Sequence, residues 1–349
     1  MRLEVDRRCR GVLPHFFQDG VLWATRGNRW VRSTDLGRSF EVVARHSTGP
    51  QRLVSRVRAI DRFAHVSPFC VVPLADGALA FSGRGMSRWR RGTDHFQPLA
   101  GPVDFRPMRR GVCPAPDGSV YVGEYRHNGG EVPAGPRDPV HIWRWDGTTW
   151  TVAWRFPAGT VRHVHAVIAH PNNPDAFYVC TGDTDAESKV WRTTDRFETL
   201  EPWLEGGQHT RTCDLIFHDN AVFYGIDSPL ETSGVCVVRD GEQTRLCNTP
   251  GPVYYGGRNE VGHLWFGTSV EVGPSVTTDR VHLFASRDGG RRFSDAFSRR
   301  GDRTPQLSAI LFPRGVVPGN AVVFSLRATW RWEGQMVVGR LVKEGCALG

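Results

Sequence analysis

The chain has 349 residues, 40% hydrophobic and 23% charged, with a net charge of +8 and a pI near 9.3. This is the balance of a folded globular protein and excludes a disordered or collagen-like chain. No run of about 18 apolar residues occurs, which excludes a membrane-spanning helix. Arg supplies almost all of the positive charge, and its planar donor fork suits carboxylates and phosphates.

The start, MRLEVDRRCRGVL, carries no apolar signal core, so a cytoplasmic location is expected. From His15 the text HFFQDGVLWATRGNRWVRSTDLGRSFEVVAR reads as four short strands separated by turns. The same order recurs from Cys70, from Gly111 (with a long insertion), from His165, from Asp214, from His263 and from Ala309. About seven units of roughly 35 to 50 residues fit the period of four-stranded propeller blades. The expectation is an all-β propeller of about seven blades, with six as the alternative. It forms one domain over 1–349, the N-terminal strand closing the last blade.

One turn is repeated nearly verbatim. Ser33, Asp35, Gly37 and Phe40 are matched by Ser286, Asp288, Gly290 and Phe293. Worn versions place Asp94 and Phe96, then Asp146, Gly147 and Trp150, then Thr194, Asp195 and Phe197 near the same positions. An Asp in a tight turn accepts backbone N–H groups, Gly allows positive φ, and the aromatic tucks beneath the hairpin. The phrase is therefore read as scaffold.

Chemistry is expected where polar residues end apolar strands. Glu124, Tyr125, Arg126 and His127 follow SVYVG and precede a Gly/Pro-rich loop. His163 and His165 stand two apart on one strand face, with Arg162 pointing the other way. They suit acid–base work or, as a minority reading, a divalent metal. Asp183 ends FYVCTG as Glu124 ends its strand, and the two acids suit sugar hydrolysis. Asp185 and Glu187 are expected to face water. Gln208, His209 and Arg211 follow, Arg211 as a carboxylate clamp. Asp227 ends a third such strand, and Tyr254 and Tyr255 precede Gly256-Gly257. The catalytic candidates are Glu124, Asp183, His163, His165 and Tyr254, and Tyr125, Arg126, His127, Arg162, Gln208, His209, Arg211, Asp227 and Tyr255 would bind substrate. No obligate cofactor is expected.

The repeated turn resembles the Asp-box, or BNR repeat, of sialidase-like propellers. That resemblance implies a propeller whose Asp-boxes lie away from the active centre, and a carbohydrate-active enzyme. The family's arginine triad has no match by motif. The nearest text to its Phe/Tyr-Arg-Ile-Pro phrase is DFRPM, Asp104 to Met108, which lacks the Ile. The expected activity is glycoside hydrolysis of an acidic glycan. The alternatives are a lyase using His163, His165, Arg211 and Tyr254 on a uronate, and a non-catalytic glycan- or protein-binding propeller. No nucleic-acid or membrane partner is expected, and the chain would be a monomer or small homo-oligomer. The eight cysteines show no Cys-x-x-Cys spacing and are expected to be free thiols.

Overall fold

The computed structural model describes residues 1–46, 67–83, 85–102, 106–130, 135–302 and 304–343. Among these residues every regular element is a β-strand, apart from a single 3-10 turn at Gly207–Thr210. Strands form because branched and aromatic residues alternate or run together between Gly-, Asp- and Pro-containing turns. The seven described cysteines are free thiols, and Cys346 lies outside the described residues.

Among the described residues, five antiparallel sheets of four strands stand separately and one sheet has nine strands. The expectation of seven, or six, separate blades is thereby corrected to five. The cause is local. Ser269 and Val270 pair with Ala309 and Ser308. This fuses the run Val253–Asn259, Leu264–Val270, Arg280–Ser286, Ser294–Arg300 with the run Ser308–Leu311, Ala321–Arg327, Gln335–Val342, Arg2–Arg10. Val316–Val317 adds the ninth strand in parallel to Arg258–Asn259.

The chain divides into two compact units. The central unit is Gly27–Val31 with Val42–Asp214, and the terminal unit is Met1–Arg26, Arg32–Glu41 and Leu215–Gly349. A further sheet is Val12–Gln18, Val21–Arg26, Arg29–Ser33, Glu41–Arg45.

The central unit holds three sheets: Cys70–Leu74 to Gln97–Leu99, Val112–Pro114 to Trp150–Phe156, and His163–Ala169 to Glu201–Glu205. Burial falls steeply across the third of them. Phe177–Gly182 is buried throughout, whereas Glu201–Glu205 is mostly exposed. The core between the second and third sheets is built on Tyr121, Phe177 and Phe197, whose rings lie 4.7 to 5.3 Å apart. Val140, Ile142, Val164 and Val167 pack around them. Burying each such side chain contributes roughly 1.5–3 kcal/mol.

Two glycines at strand ends make room for the polar residues beside them. A Cβ on Gly123 would stand 2.4 Å from Val164 Cγ1. Its absence lets the next sheet close in, and Val164 N donates to Glu124 O at 2.8 Å. A Cβ on Gly182 would stand 3.0 Å from His165 Cε1 and 3.1 Å from Arg211 Cγ. Glycine there leaves space for the side chains that gather around the next residue in the chain, Asp183.

The terminal unit holds the sheet Leu215–His218, Ala221–Gly225, Gly234–Arg239, Glu242–Asn248 and the nine-stranded sheet. Trp265, Phe266, Phe312 and Phe324 are fully buried there. In the nine-stranded sheet Arg2–Arg10 pairs antiparallel with Gln335–Val342.

The repeated turn folds the same way three times. Ser33 Oγ donates to Asp35 Oδ1 at 2.8 Å and accepts from Gly37 N, while Ser39 N donates to Asp35 Oδ1 at 3.0 Å. Ser286 and Asp288 repeat this pattern with Gly290 and Arg292. In the third copy Thr193, not Thr194, takes the hydroxyl role, and Thr199 N closes onto Asp195. Phe197 stands at the glycine position with φ of 74°, as Gly37 does at 81° and Gly290 at 85°. Its burial against Tyr121 and Phe177 offsets the cost of that backbone. Leu200 then fills the aromatic position. Of the other two worn copies, Asp146 accepts from the backbone N–H groups of Thr148 and Thr149, whereas Asp94 bonds its neighbour His95.

These turns set an acid limit on stability. Bonds from the Thr199 hydroxyl and N–H and from Thr193 hold the Asp195 carboxyl down to about 2, and Asp35 is lowered for the same reason by Ser39 and Ser33. Both groups bind protons more weakly folded than unfolded. Their stabilisation is therefore complete above about pH 4 and is lost as pH falls through the folded values. Asp195→Asn is expected to flatten the acid limb of a melting-temperature profile between about pH 4 and 2. An unchanged limb would show that the turn does not contribute.

Candidate functional site

The central unit gathers Arg162, His163, His165, Asp183 and Arg211 around one carboxylate. His163–Ala169 and Phe177–Gly182 are antiparallel neighbours, with His163 opposite Gly182. A register shift between Val164 and Ala166 brings both imidazoles to the same end. Their Nε2 atoms are 3.0 Å apart. Asp183 Oδ2 lies 3.1 Å from His163 Nε2, and Oδ1 lies 3.4 Å from His165 Nε2. Arg162 Nη1 reaches Oδ2 at 2.5 Å and Arg211 Nη2 reaches Oδ1 at 3.0 Å. This corrects the expectation that Arg162 points the other way. Arg162 precedes the strand, so strict alternation does not bind it, and it meets the same carboxylate as His163.

The group is closed over. His163 and His165 are 2% exposed and Asp183 is 5% exposed. Burial alone raises the Asp183 carboxyl, but the bonds and charges of His163 and His165 outweigh it and hold the group far below the usual carboxylate range. Burial pushes His163 below the usual imidazole value despite Asp183. Asp183 is thus a fixed anion that does not donate a proton near neutral pH. Backbone contacts lock the loop: Gln208 Nε2 donates to Asp183 O at 2.8 Å and to Asp185 Oδ1 at 3.0 Å, and Arg211 Nη1 donates to Asp183 O at 3.3 Å.

Glu124 is occupied differently. Its Oε2 accepts from His141 N at 2.9 Å and its Oε1 from Trp143 Nε1 at 2.9 Å, with His141 Nδ1 3.2 Å from Oε1. Arg126 Nη2 stands 3.9 Å away and bonds Pro139 O at 2.8 Å. Glu124 therefore organises its own sheet and is not directed at Asp183's partners. Tyr125 is half-buried, its ring stacked on His163 at 4.0 Å. His127 and His209 are exposed.

Tyr254, Tyr255 and Asp227 belong to the terminal unit. Tyr255 and Asp227 are buried there, and Tyr254 meets Tyr255 edge to face at 5.8 Å. In DFRPM, Asp104 and Phe105 lie outside the described residues, and the Arg106 guanidinium lies 4.7 Å from the Phe69 ring.

Two buried ion pairs carry no periodic signal in the sequence. Arg137 Nε bonds Glu187 Oε1 at 2.6 Å, and Arg137 also donates to the carbonyls of Asn128 and Gly130. Glu187, expected to face water, is 6% exposed. Arg110 Nε bonds Asp214 Oδ2 at 2.9 Å, again in the interior.

No protein-family model matches the chain, and no curated protein matches it. Among solved structures it is similar to YCF48 bound to a D1 peptide, with a TM-score of 0.55 and 12% identity over 98% of this chain and 97% of that one. It is similar to YCF48 from Cyanidioschyzon merolae, with a TM-score of 0.55 and 12% identity over 97% and 99% of the two chains. A chain of the Mitotic Checkpoint Complex gives a TM-score of 0.54 and 10% identity over 97% and 95%. At such identities the likeness shows the fold alone: the chain is an all-β β-propeller.

Proposed function

We propose that this β-propeller is a binding protein, not a hydrolase, and that it takes an acidic protein segment beside Tyr125, Arg126 and His127. One observation carries the reading. The two carboxylates that hydrolysis would require are already committed, Asp183 to two guanidiniums and two imidazoles and Glu124 to His141 and Trp143. A general acid must hold a proton near the working pH, and Asp183 is held far below it. The lyase alternative meets a similar obstacle, because Arg211 and Arg162 already neutralise Asp183.

Support for an acidic partner comes from the net charge of +8 and from the half-exposed Arg126. Support for a peptide comes from the similar YCF48, which is bound to one. Tyr125, held rigid by its stack on His163, presents a flat face at little entropic cost. The resemblance of the repeated turn to Asp-boxes bears on scaffold and carries no reaction.

Titration calorimetry with an acidic peptide and its neutral amide counterpart tests this. The expected result is saturable binding to the acidic form only, weakened about tenfold by Arg126→Gln, or about 1.4 kcal/mol, and weakened further by salt. Equal binding of both peptides, or no effect of the substitution, would refute it.

A further inference from the structure

We infer that His163 Nε2, His165 Nε2 and the Asp183 carboxylate form a binding site for a transition-metal dication of the zinc type. This goes beyond peptide binding and stands without it.

Two observations point to a cation. The first is spacing. The two nitrogens are 3.0 Å apart, and the carboxylate oxygens stand 3.1 Å from one and 3.4 Å from the other. Two donors each about 2.1 Å from one ion are separated by about 3.0 Å at a right angle and about 3.4 Å at a tetrahedral angle. The three groups already have the separations of ligands sharing an ion.

The second is ring orientation. His163 Nδ1 faces the Arg126 carbonyl at 3.3 Å, and a carbonyl only accepts, so Nδ1 carries a hydrogen and Nε2 is the ring nitrogen left to ligate an ion. That Nε2 is turned to Asp183 Oδ2 at 3.1 Å and to His165 Nε2 at 3.0 Å. The Arg126 carbonyl fixes the His163 ring as an outer partner of a metal ligand commonly does.

The guanidiniums of Arg162 and Arg211 oppose a second positive charge. They disfavour hard, oxygen-seeking ions held by charge alone. They leave an ion that bonds imidazole, and they favour an anion in any remaining position of that ion.

Cobalt(II) and zinc(II) chloride added to the chelator-treated full chain test the site. The expected result is one equivalent bound, visible cobalt bands displaced by zinc, and a raised melting temperature. His163→Gln and His165→Gln, checked by circular dichroism, should each weaken binding by more than about 100-fold, the upper range for losing only an outer partner of a ligand. If either variant does not fold, zinc-dependent shifts of imidazole nitrogen signals in the unmodified chain decide. Shifts at two histidines support the site, and shifts at none overturn it. No binding by the folded chain at micromolar metal, or binding retained in folded variants, would also overturn it.

Discussion

Replacing Glu187 by Ala lowers the unfolding free energy by about 3–5 kcal/mol in urea denaturation, the cost of stranding a buried charge. Arg137 and Glu187 expose only 3% and 7% of their side chains, and Nε meets Oε1 at 2.6 Å. The same guanidinium ties down the carbonyls of Asn128 and Gly130. Without Glu187 it keeps two neutral acceptors and no counter-charge. The contrast is Glu41→Ala, which removes the partner of Arg32. That pair is 45% and 62% exposed, and its loss should cost under about 1 kcal/mol. Equal effects at the two sites would mean that water reaches Arg137.

Asp183→Asn is expected to cost a similar amount, about 3–5 kcal/mol, because two guanidiniums lose their common anion. Arg162, His163, His165 and Arg211 all lie within 3.4 Å of that carboxylate. The amide cannot accept at both ends, and its NH₂ faces donors. The triple replacement Arg162→Met, Asp183→Leu, Arg211→Met removes the charges together and should recover most of the loss in the same denaturation experiment. A triple variant no better than Asp183→Asn would show that the polar network, rather than charge balance, holds the two strands.

Much of this site is legible in the sequence. His163 and His165 are two apart in an apolar run, and Asp183 follows a strand-ending glycine. Those local patterns place side chains at one end of one sheet. Arg211 reads as a carboxylate clamp, although the carboxylate it clamps belongs to the protein. The role of Glu124 is not legible, because its partners, His141 and Trp143, sit on the neighbouring strand beyond the insertion. The Arg137–Glu187 and Arg110–Asp214 pairs span 50 and 104 positions, and no local period signals them. A lone Arg within the Gly/Pro-rich stretch is the available hint. The fold is legible from its repeats. The number of separate sheets is not, because two residue pairings, Ser269–Ala309 and Val270–Ser308, suffice to join two of them.

On the proposed reading, the carboxylates of this propeller hold the protein together and do not cleave a substrate. Prolonged incubation of the chain with acidic oligosaccharides and chromogenic glycosides, followed for new reducing ends and for the ultraviolet absorbance of unsaturated uronates, tests it most directly. No product above the protein-free control is expected. Product formed by the unmodified chain and abolished by a folded Glu124→Gln or Asp183→Asn variant would contradict it.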